Sequence, residues 1–104
     1  MSDKIWLTCP YLKEDVLLTT ERLEHIIEGH PGVFDDGLDD FKAALAQPDQ
    51  VRSNTKGSLK FVIDIGSKYI VVVVNRIKNG PIWKVATAYE ADHLSGEDEV
   101  LWKR

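Results

Sequence analysis

Leu18 to Pro31 reads LTTERLEHIIEGHP, and its start, stop and internal spacing decide how the rest of the chain is organised. Thr19 or Thr20 can cap a helix, because a hydroxyl there accepts a bond from a backbone N–H that has no intrahelical partner. Glu21 and Glu24 fall in the first turn, where negative charge suits the helix dipole. Leu23, Ile26, Ile27 and His30 recur at i, i+3, i+4 and i+7, so they are expected on one face, the buried one. Arg22 and His25 are neighbours on the flank of that face. Gly29 loosens the last turn, and Pro31 forces His30 out of helical geometry. The expectation is a helix of roughly three turns with Arg22 and His25 along one edge and His30 at its C-terminal end.

Upstream, Lys4 to Thr8 alternates loosely, as a short strand or an arm laid across the domain, until Cys9-Pro10 breaks it. Val16-Leu17-Leu18 leads into the helix. Downstream, Asp35 or Asp36 is placed to cap a second helix. Leu38, Phe41 and Leu45 give that helix an apolar face, and Pro48 ends it. Asp49 to Ser53 reads as a first sheet strand, followed by turn residues Asn54 to Gly57. Leu59 to Ile65 alternates as a half-buried strand, and Gly66-Ser67 turns tightly. Tyr69 to Asn75, YIVVVVN, lacks polar alternation and reads as a central strand covered on both faces. Asn79-Gly80-Pro81 turns again. Ile82 to Glu90 is the last long strand, with Trp83, Val85, Thr87 and Tyr89 expected on one face. In the tail, Val100 to Trp102 is an edge strand or a docking point. The expected fold is α+β: two N-terminal helices on one antiparallel meander sheet of about four strands. One domain spans 1–104, with an arm over 1–15, a core over 16–92 and a tail over 93–104.

The chain of 104 residues is 29% charged and 43% hydrophobic, ordinary values for a soluble globular domain with a modest core. No apolar run approaches the roughly 18–20 residues of a membrane span. The first residues, MSDKIWLTCP, lack the apolar centre of a signal peptide, so a cytoplasmic location is expected. The single cysteine, Cys9, excludes an internal disulfide and a cysteine-based zinc cluster. The net charge of −4 runs against broad nonspecific nucleic-acid binding.

Histidines invite a metal, but His25 and His30 are five apart, about 140° of rotation on a helix, and Ile26 stands where a zinc protease carries glutamate. No metal and no cofactor are expected. Phosphate-loop, dinucleotide and serine-elbow motifs are absent, and Cys9 has no basic neighbour to activate it. Acid–base chemistry by histidine remains. Cleavage of RNA through its own 2′-hydroxyl needs only a base, an acid and a group to steady the charged phosphorane. Histidine suits the first two roles and arginine the third.

The succession LTTERLEHIIEGHP, DDFKAALAQPDQVRSN, YIVVVVN and WKVATAYEAD resembles the phage-associated branch of the barnase–EndoU–colicin–RelE nuclease superfamily. The resemblance runs from about Val16 to Asp92. It implies an RNase-like domain whose functional groups gather where the first helix meets the sheet. By position it points to Arg22, His25 and His30 on the helix and to Thr87 and Tyr89 on the last strand. Arg52, Lys56, Lys60 and Lys84 would form a basic rim for phosphate. The chain departs from the pattern at Leu23, where a larger aromatic is expected, and at Gly32, where an acidic residue often follows His-Pro. The expected function is a metal-independent endoribonuclease, toxin-like, with RNA as substrate and an antitoxin or immunity protein as partner. The alternatives are a catalytically inactive module of the same fold that binds protein or RNA, favoured by the charge of −4, and a structural dimer formed through a sheet edge or the Trp102 tail.

Overall fold

Two strands, not a loose arm, precede the first helix. β1 (Lys4–Cys9) and β2 (Glu14–Thr19) form an antiparallel hairpin in full register from Lys4 opposite Thr19 to Cys9 opposite Glu14. Its turn closes with the Lys13 N–H donating to the Pro10 carbonyl at 3.0 Å, and Lys13 takes a left-handed φ of +59°. The computed structural model describes residues 3–34, 38–77, 82–94 and 96–104. The chain continues through α1 (Thr20–Gly29), a 3₁₀ turn (Pro31–Phe34), α2 (Asp39–Ala46), β3 (Gln50–Ser53), β4 (Leu59–Asp64), β5 (Tyr69–Arg76), β6 (Trp83–Ala91) and β7 (Val100–Lys103).

These strands make one seven-stranded mixed sheet in the order β1-β2-β6-β5-β4-β3-β7. The expected pair of N-terminal helices on a four-stranded antiparallel meander is therefore incorrect. Val16-Leu17-Leu18 conceals the difference. All three are buried, because β2 is an interior strand between β1 and β6 and shows no polar alternation. β2 and β6 run parallel, an arrangement only a long crossover can join, and they pair through just Val16–Trp83 and Leu17–Lys84. Nothing local in the sequence announces such a contact.

The main core lies between one face of the sheet and the helices. Phe41, Ala44 and Leu45 of α2 pack there against Leu7, Cys9, Val16, Leu18, Val51, Phe61, Ile70, Val72 and Val74. Asp35 and Asp36, the expected caps of α2, lie outside the described residues, as does Asn79-Gly80-Pro81; Leu38 precedes α2 without a side-chain cap. The opposite face carries a smaller cluster of Val62, Val71 and Val73 with Tyr69, Ala86, Tyr89 and Leu94.

Two further expectations are corrected. Val85 and Tyr89 do not share a face: the β5–β6 register shifts between Val73 and Val74, which pair with Thr87 and Val85 and leave Ala86 as the extra residue of a bulge. Val85 consequently joins the main core and Tyr89 the cluster on the other face. On α1 only Ile26 is buried; Leu23 is half-buried, while Ile27 and His30 are exposed. α1 packs on β6, β2 and the turn after it, so only a narrow stripe of the helix is covered. Among the described residues no helix is long and apolar enough to cross a membrane.

Candidate functional site

β2 and β6 part after two residue pairs, and α1 begins where they part. The helix start is set locally: the Thr19 hydroxyl accepts the Arg22 N–H at 3.2 Å, and Thr20 is tied to Asp3 through both its N–H and its hydroxyl. This fork forms a cleft of about 240 Å³. Leu17, Thr19, Glu21, Arg22 and His25 line it from β2 and α1, and Asn75, Lys84, Val85 and Ala86 line it from the sheet. The bulge residue Ala86 is thus part of the cleft lining, and Asn75 lies opposite Lys84 in the ladder. Two cations, one imidazole and one amide share a space large enough for a phosphate group. Glu21 is the one carboxylate among the lining residues. Arginine binds phosphate oxygens with a planar fork, lysine as a point charge.

The remaining predicted residues fall elsewhere. His30 stands at the C-terminal end of α1, about 7.5 Å along the helix axis from His25, with its ring 6.3 Å from that of Tyr89. Its N–H donates to the Ile26 carbonyl at 2.7 Å, which closes the last turn. Thr87 is half-buried opposite Val73 and is not part of the cleft lining. Lys56 lines an adjoining groove with Asn54, Thr55, Ser58 and Arg76, and this groove shares Asn75 and Ala86 with the cleft. Lys56 holds a left-handed φ of +58°, uncommon for a side-chain-bearing residue and a conformation the surrounding turn must impose.

Arg52, Lys60 and Tyr89 line a separate cavity of about 180 Å³ with His93, Leu94 and Asp98. Lys60 Nζ donates to Asp98 Oδ2 at 2.8 Å, and Arg52 Nη1 lies 3.9 Å from the same oxygen. The hydrogen bond to Asp98 is the largest influence on Lys60; Tyr89 adds to it, partial burial opposes it, and together they hold its pKa above the ordinary lysine value. Asp98 is the residue sequence reasoning missed. It lies in the acidic run Glu97-Asp98-Glu99, which reads as solvated surface, and only the fold sets it against two cations.

Gly32 also acquires a neighbour the sequence does not announce. Its carbonyl accepts from Lys68 Nζ at 3.0 Å, and Lys68 pairs with Glu90. A side chain at position 32 would meet the Glu90 carboxylate, so Glu90 occupies the space an acidic residue there would need. Cys9 is buried, and burial pushes its thiol pKa up, away from what a nucleophile requires. Among the described residues, no three of His, Cys, Asp and Glu are grouped to hold a metal ion. No family model matches the chain, and no curated protein or solved structure is significantly similar to it.

Proposed function

We propose that the chain is an endoribonuclease that cleaves RNA without a metal, with the reacting phosphodiester seated in the cleft between α1 and β6. The observation that carries this reading is the convergence of Arg22, His25 and Lys84 with Asn75 on one cleft. In this reaction His25 moves a proton to or from a ribose oxygen. Arg22 and Lys84 stabilise the charge that builds on the phosphorane. His30, beside Tyr89 about 7.5 Å further along the helix axis, and Thr87 do not line this cleft, so the second proton transfer is left to solvent. Lys56 in the adjoining groove receives a neighbouring phosphate. The test is incubation with total RNA in excess EDTA, comparing wild type with His25→Ala, His30→Ala and the double variant at equal folded content. Discrete cleavage that disappears in His25→Ala is expected; unchanged cleavage in His25→Ala would overturn the reading. An antitoxin that covers this cleft would protect RNA in the same assay.

A second reading, a binding module without catalysis, draws on a specific feature. Arg52 and Lys60, two of the expected phosphate contacts, are engaged by Asp98, and the net charge is −4. Folded wild-type protein that leaves RNA intact under these conditions, yet retains it on a filter, would favour this alternative.

A further inference from the structure

β1 and β7 are the two edges of the sheet, and they are unlike each other. β1 turns Leu7 and Cys9 into the core and leaves Ile5 half-buried. β7 buries nothing: all four of its residues are exposed, with Val100 at 44%, Leu101 at 42% and Trp102 at 41% of their full accessibility. Soluble proteins blunt a sheet edge with charge, proline or cover, because its open N–H and C=O groups invite another strand. β7 has a bulge at its Val51–Arg52 register shift, yet presents three consecutive large apolar residues.

Its attachment to β3 is nonetheless firm and made by the main chain. The Ser53 N–H donates to the Glu99 carbonyl and the Arg104 N–H to the Asp49 carbonyl, each at 2.8 Å. Trp102 continues into an apolar groove of about 450 Å³ with Pro10, Tyr11, Ala46, Pro48 and Arg104. β7 is therefore a held, exposed edge with an apolar groove beside it.

We infer that a second copy of this chain covers the edge, by antiparallel pairing of β7 with β7 about a two-fold axis. The charge order selects this occupant. Glu99, three apolar residues, then Lys103 and Arg104 form a series that is complementary to itself only when reversed. Antiparallel pairing sets Glu99 of each copy against the basic end of the other; parallel pairing sets like against like. An isologous β7–β7 contact also closes on itself, whereas joining β7 to β1 would propagate an open sheet. Two seven-stranded sheets become one continuous sheet, and each of Val100, Leu101 and Trp102 gains a cross-strand neighbour that covers part of it.

Sedimentation equilibrium of the intact protein over a range of concentrations tests this. Wild type should approach the mass of two chains. Glu99→Lys and Lys103→Glu each place like charges opposite, twice by symmetry, and should weaken association about tenfold. The double exchange Glu99→Lys/Lys103→Glu should restore it, and an equimolar mixture of the two single variants should regain the two-chain mass. Both side chains lie outside the main-chain bonds that hold β7, so the variants should keep the wild-type circular dichroism. A wild type that stays monomeric at every concentration overturns the proposal, including the case in which a different protein covers this edge. A dimer indifferent to both single variants overturns it as well.

Discussion

The two basic clusters of this molecule contain similar side chains in opposite circumstances. Arg22 and Lys84 line an open cleft with His25. Arg52 and Lys60 are largely covered and drawn to Asp98, with Lys60 held by a 2.8 Å bond. A cation in the first setting is available to a ligand. In the second setting its charge is committed to holding the segment before β7 against the sheet. Counting basic residues would treat the clusters alike; Asp98, whose carboxylate lies against the second, separates them.

The strongest attempt to break this contrast is His25→Ala. Loss of a group that transfers a proton should lower RNA cleavage by about 10²–10⁴-fold, while the urea midpoint stays put, since His25 is exposed. Next comes Asp98→Asn, which removes the charged acceptor from Lys60 and Arg52. It should cost about 2 kcal/mol in urea denaturation and leave cleavage rates unchanged. Its pH signature has a definite sign. The folded state raises the Lys60 pKa above the ordinary lysine value of 10.5. The stabilisation is therefore complete below that value and is lost as pH rises through the raised one. Wild-type stability should fall across that alkaline range, and Asp98→Asn should flatten the fall.

A paired comparison sharpens the contrast further. Lys84→Met should weaken RNA binding and reduce the salt dependence by about 0.7 in log–log slope, the value for one single-strand phosphate contact. Lys60→Met should leave that slope alone and lower stability instead. The smallest effect is expected at Lys56. Glycine takes the left-handed conformation without strain, so Lys56→Gly should raise stability by up to about 1 kcal/mol while weakening RNA binding. A loss on both measures would mean that the side chain holds its own turn.

What the sequence discloses about this fold follows the range of the forces involved. α1 is legible because its cap, its acidic first turn and its proline stop all lie within a dozen residues. β5 is legible for a similar reason: Ile70 to Val74 is buried on both faces and dispenses with polar alternation. The β1–β2 hairpin is misread because Val16-Leu17-Leu18 carries no period, and its parallel partner lies far along the chain. The face of β6 is misread because a single extra residue, Ala86, reverses the alternation between Val85 and Tyr89. For the candidate site, Arg22 and His25 are visible as neighbours on one helix. That Lys84 joins them depends on where β6 meets β2, and that Lys60 does not depends on Asp98.

The two-residue junction between β2 and β6 has a consequence for how the molecule opens. The hairpin is bound to the rest of the sheet by few backbone bonds. It is held mainly by Leu7, Cys9, Val16 and Leu18 beneath α2. Attachment through apolar burial weakens on cooling, unlike a hydrogen-bonded ladder of the length joining β4 to β5. The hairpin and the helix that continues from it therefore form a natural unit of sub-global unfolding. Its amides should exchange together, ahead of those in β4 and β5, and the gap should widen as temperature falls. Each such opening would carry Arg22 and His25 away from Lys84 and Asn75, so the cleft exists only while the hairpin stays docked.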